Sequence, residues 1–76
     1  MKNVRVLLNN VEKVKDFVDL IEKSGAMCEI GDGNYFVDAR SIIGIFSLDT
    51  SKPLDLKIDG NSFDTLVEKI NKYVVN

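Results

Sequence analysis

The chain has 76 residues with 10 basic against 12 acidic side chains, one Cys, one Pro and no His, so a single small domain over residues 1–76 is expected. A composition of 45% hydrophobic and 29% charged residues excludes a disordered tail, and a domain of this size needs most of its apolar residues for a core. A net charge of -2 with both signs interspersed supplies no field for a nucleic-acid backbone; a lone Cys28 without His allows neither an internal disulfide nor a zinc site; no stretch approaches the roughly 20 apolar residues of a membrane span.

Val4 to Leu8 is a β-branched and aliphatic run that stops at Asn9-Asn10 and suits a first strand. It is too short for a signal peptide, and a cytoplasmic protein is expected. The period then changes. Val11, Val14, Phe17, Val18 and Ile21 fall at helical spacing, with Glu12, Lys13, Lys15, Asp16, Asp19 and Glu22 on the opposite side. Asn9 as N-cap with Glu12 three residues on, and Ser24-Gly25 as the stop, predict a helix from about 10 to 24.

Met27 to Ile30 and Asn34 to Ala39 flank Gly31-Asp32-Gly33 and read as a hairpin. Ser41 to Leu48 is an apolar octet with a capping-type Ser at its front, a short helix or a buried strand by composition. After the loop Asp49 to Pro53, Leu54 to Asp59 alternates cleanly, with Leu54, Leu56 and Ile58 inward and Asp55, Lys57 and Asp59 toward water. Gly60-Asn61-Ser62 turns the chain and Ser62 or Asn61 caps a last helix, whose stripe Phe63, Leu66, Val67, Ile70, Tyr73 and Val74 reaches the C-terminus. The order βαββαβα predicts an α+β fold: a four-stranded, mainly antiparallel sheet with three helices on one face.

Catalytic chemistry has little to work with. Without His there is no Ser-His or Cys-His pair. Cys28 beside Glu29 reads as a small core residue, Asp16 and Asp19 are too few for a calcium site, and Gly31-Asp32-Gly33 lacks the spacing and lysine of a phosphate loop. Ser41 differs, because a hydroxyl at a helix start sits beside unpaired amides that tolerate a phosphate; as a plain N-cap it would do no more than hold the helix.

The stretch Phe36-Val37-Asp38-Ala39-Arg40-Ser41-Ile42-Ile43-Gly44-Ile45-Phe46-Ser47-Leu48 resembles the regulatory-serine region of HPr, the phosphocarrier of the bacterial phosphoenolpyruvate-dependent sugar phosphotransferase system. Arg40, Ser41, Ile42, Gly44, Ser47 and Leu48 match that pattern, and the element order is similar to the HPr open-faced β-sandwich. The family carries its phosphoryl group on a His just before the first helix. This chain reads Asn9-Asn10-Val11-Glu12-Lys13 there, a degenerate phosphocarrier site, and a carboxamide cannot accept and pass on a phosphoryl group.

The resemblance therefore implies a regulatory or interaction protein with no catalysis and no cofactor. Ser41 is the candidate for phosphorylation by HPr kinase/phosphorylase, Arg40 is the expected neighbour of its phosphate, and Ile42, Ile43 and Phe46 form the expected partner surface. A helix of two turns cannot bury all three. A transcriptional repressor is a further implied partner; direct contact with nucleic acid or membrane is not expected. The alternative is a binding or scaffolding domain of the same fold in which Ser41 is only a cap.

Overall fold

The structure, a computed structural model, describes residues 1–75. Its elements are β1 (Lys2–Val6), α1 (Val11–Ser24), β2 (Cys28–Asp32), β3 (Tyr35–Asp38), α2 (Ile42–Phe46), β4 (Leu54–Ile58) and α3 (Phe63–Lys69), with short 3₁₀ turns at Gly60–Ser62 and Asn71–Tyr73. The strands form one sheet in the order β1-β4-β2-β3, every neighbouring pair antiparallel. This is the expected α+β, open-faced β-sandwich.

Strand register turns the period of two into two chemically distinct faces. Val4, Val6, Leu54, Leu56, Ile58, Cys28, Ile30 and Val37 share one face, where Val14, Phe17, Val18 and Ile21 of α1, Ile45 of α2 and Leu66 of α3 pack against them. The other face carries Asn3, Arg5, Asp55, Lys57, Glu29, Gly31, Phe36 and Asp38, with Arg5 3.9 Å from Asp55 across the β1–β4 pair. The Phe36 ring covers Gly31: a Cβ there would meet the ring at 2.7 Å and run into the Tyr35 carbonyl. The Lys57 ammonium stands 4.0 Å from the centroid of the same ring.

Several expected boundaries move, each for a pairing reason. β1 occupies Lys2–Val6 and not Val4 to Leu8, because its partner β4 begins at Leu54 behind Pro53, which has no N–H to offer a ladder. Leu8 is nevertheless fully buried. The N-cap of α1 is Asn10, whose carboxamide oxygen accepts the Lys13 amide at 2.9 Å, and not Asn9. The hairpin continues through Gly31 and Asp32, paired with Phe36 and Tyr35, so its turn is Gly33-Asn34.

Asp59 lies past β4 and is no strand residue: its carboxylate accepts the Asn61 amide at 3.2 Å and starts the 3₁₀ turn, while Ser62 makes no capping bond. The last helix also ends early, at Lys69. Beyond it Leu7 N–H bonds the Tyr73 carbonyl at 2.9 Å, Val74 bridges Val6, and Val75 N–H bonds Arg5 C=O at 2.9 Å. The outer edge of β1 thus takes the tail as an extended segment, which satisfies backbone groups that a longer helix would leave open.

Candidate functional site

The chain leaves β3 through a turn that places Ser41 at the head of α2. Ala39 anchors this turn: it is fully buried and its N–H bonds the Cys28 carbonyl at 3.1 Å. Ser41 N–H then bonds the Asp38 carbonyl at 3.0 Å, closing the four residues Asp38 to Ser41. Ser41 has extended backbone (φ -98°, ψ 106°), its Oγ accepts the Gly44 amide at 2.9 Å, and its carbonyl accepts the Ile45 amide at 3.0 Å. The octet is therefore a helix of five residues, Ile42–Phe46, and the alternative of a buried strand is excluded.

A helix this short can bury one side chain well, and that one is Ile45. Ile42, Ile43 and Phe46 remain 39%, 87% and 45% exposed. Tyr35, also exposed, reaches across from the β2–β3 hairpin to 3.4 Å between its hydroxyl and the Ser47 Oγ at the end of α2. Sequence reading had no means of attaching Tyr35 to this surface, because the contact spans two elements.

Arg40 does not lie free beside Ser41. Its Nε and Nη2 donate to the two carboxylate oxygens of Asp38 at 3.1 and 2.9 Å, and its backbone N–H donates to Asp38 Oδ1 at 2.9 Å. These hydrogen bonds hold the Asp38 carboxyl below the usual carboxylate range and push the guanidinium further up. Asp38 is the residue that sequence reading missed. The spacing Asp-x-Arg before a capping Ser was its only signal.

At the start of α1 both carboxamides are engaged: Asn10 caps through its oxygen, and Asn9 Oδ1 accepts the Lys13 ammonium at 3.0 Å. The remaining candidates disperse. Asp19 pairs with Lys23 at 3.0 Å, whereas Asp16 pairs with Lys72 at 3.0 Å and accepts the Tyr73 hydroxyl. Burial pushes the Cys28 thiol up to about 11, with the Asp38 charge adding to it, the behaviour of a core residue and not of a nucleophile.

No family model and no curated protein matches the sequence. Among solved structures, HPr-C-His from Thermoanaerobacter tengcongensis is 24% identical over 95% of this chain and 89% of that one, with a TM-score of 0.78. The phosphocarrier protein HPr from Bacillus anthracis str. Ames is 27% identical over 96% and 93%, with a TM-score of 0.72. The histidine-containing phosphocarrier protein of Mycoplasma superposes with a TM-score of 0.74 at 13% identity, over 93% and 89% of the two chains. The fold that displays Asn9, Asn10 and Ser41 is the HPr fold, carried here on a chain without histidine.

Proposed function

We propose that residues 1–76 form one HPr-like domain acting as a non-catalytic regulatory and interaction protein of a bacterial, cytoplasmic sugar phosphotransferase system, switched by phosphorylation at Ser41. The observation that carries this reading is the head of α2, where Ser41 stands next to three exposed apolar side chains, Ile42, Ile43 and Phe46, on a fold otherwise similar to phosphocarriers. A phosphate there adds about -1.5 to -2 charges and three acceptor oxygens at the rim of that apolar surface, enough to change which protein docks on it. HPr kinase/phosphorylase and a transcriptional repressor are the proposed partners. The absence of any side chain before α1 able to carry a phosphoryl group supports regulation over transport.

One observation favours a second reading. The Ser41 hydroxyl is already used as the N-cap, bonded to Gly44 at 2.9 Å, which suits a scaffold domain with no modification. The two separate by incubating the purified protein with HPr kinase/phosphorylase and ATP and reading intact mass, with a histidine-bearing HPr as control. A phosphate on the wild type that is absent from Ser41→Ala is expected. An unmodified wild type, under conditions that fully modify the control, leaves the scaffold.

A further inference from the structure

The turn from Asp38 to Ser41 holds one serine, one guanidinium and one carboxylate within four residues, tied by the Ser41 N–H to Asp38 C=O bond at 3.0 Å. In the unmodified protein its charge sums to zero, one guanidinium against one carboxylate, and the Arg40 fork closes on Asp38 through Nε and Nη2 at 3.1 and 2.9 Å. Both side chains are about half exposed, at 48% and 49%, so neither is locked in place by packing. A phosphoserine brings more charge than a carboxylate and three oxygens in a geometry that the same planar fork accepts bidentately. A phosphate on Ser41 adds a second anion to a turn that holds one guanidinium. The more highly charged of the two anions attracts that guanidinium more strongly.

We propose that Asp38 and Arg40 form a charge exchange at Ser41: Arg40 closes on Asp38 while the serine is free, and passes to the phosphate once it is modified, releasing the Asp38 carboxylate. The inference rests on the reading of Ser41 as a modified residue and adds the part that Asp38 plays. Asp38 is a positioning residue, competing with the phosphate for the only cation of the turn. Glu22 of α1 also acts on Arg40 and adds to the negative field that the guanidinium feels; Cys28, the remaining titratable neighbour, stays a neutral thiol at neutral pH.

The test installs phosphoserine at position 41 during translation, so that no kinase is needed. The ³¹P shift of the phosphate and the carboxyl ¹³C shift of Asp38 are then followed against pH in the wild type, Asp38→Asn and Arg40→Gln. The second ionisation of the phosphate, ordinarily near pH 6, is expected about half a pH unit lower in the wild type than in Arg40→Gln, and lower again in Asp38→Asn, where the competitor is gone. The Asp38 carboxyl is expected to titrate higher in the phosphorylated wild type than in the unmodified one. A phosphate titration indifferent to Arg40→Gln, or an Asp38 carboxyl unmoved by the phosphate, overturns the exchange. Failure of the kinase assay defeats the functional reading alone, and failure of this titration defeats the charge exchange alone.

Discussion

Replacing Ser41 by Ala removes the one oxygen that accepts the Gly44 amide, at 2.9 Å in a partly buried position. Loss of an N-cap hydroxyl costs about 1 kcal/mol, within a range of roughly 0.5–2. For 76 residues, a total stability of about 0.05–0.15 kcal/mol per residue comes to about 4–11 kcal/mol. The cap thus accounts for about a tenth to a quarter of the whole, and a Tm fall of about 4–8 °C is expected for each kcal/mol lost. Aspartate at the same position retains an acceptor for Gly44. Two features keep it from gaining more: α2 has only five residues and so a small dipole, and Asp38 places a second carboxylate in the same turn. Ser41→Asp is accordingly expected within about 0.5 kcal/mol of the wild type. Urea unfolding followed by circular dichroism measures both variants, with amide hydrogen exchange at Gly44 as the local readout. If Ser41→Ala unfolds at the wild-type midpoint with Gly44 still protected, the hydroxyl does not hold α2. If Ser41→Asp loses as much as Ser41→Ala, the carboxylate has failed to replace it.

Ile43, 87% exposed, is expected to change stability by less than about 0.5 kcal/mol when cut to Ala. If α2 is the docking surface, Ile43→Ala and Phe46→Ala should each slow kinase-catalysed modification of Ser41 about tenfold, a loss typical of a truncated interface anchor, and unaltered rates would remove these residues from it. Gly31→Ala should cost about 1–3 kcal/mol in a denaturant titration, because the Phe36 ring and the Tyr35 carbonyl occupy the space of the new methyl; a wild-type midpoint would show that the ring and the β3 backbone both give way freely. The Tyr73 hydroxyl, more than the Lys72 ammonium, holds the Asp16 carboxyl below its ordinary 3.8, so this contribution is present above that pH and lost as pH falls through the lower folded value. Burial, with the Asp16 hydrogen bond second, pushes Tyr73 from 10.0 up to about 12, so that contribution is present below pH 10 and lost as pH rises through 12. Tyr73→Phe should flatten both limbs of a stability–pH profile, and an acid limb identical to the wild type would refute the pairing. Incubation with the phosphoenolpyruvate-dependent enzyme that charges HPr should add no acid-labile mass, and Asn10→His alone should restore little, since no arginine follows in Val11-Glu12-Lys13.

Periodicity carried much of this architecture. Alternation in Leu54 to Ile58 and the 3.6-residue stripe from Val14 to Ile21 each assign a buried face from local sterics alone, and both faces meet in the core. The absence of histidine, and with it the carrier chemistry that histidine would support, is likewise read directly from the chain. Where an element ends is set by its partner. β1 stops where β4 begins behind Pro53, the hairpin turns two residues later because Gly31 and Asp32 pair with Phe36 and Tyr35, and the last helix yields to the open edge of β1. The octet after Ser41 had no period long enough to choose helix or strand; the capping bond to Gly44 and the burial of Ile45 decided it. The chemistry around Ser41 was the least legible part, since sequence placed Arg40 beside the serine but could not say which acid it would reach. Only the fold of the turn brought both oxygens of Asp38 within 3.1 Å of that guanidinium. A fork-shaped cation takes the nearest bidentate acceptor, and nearness is a property of the folded turn, not of the order of residues.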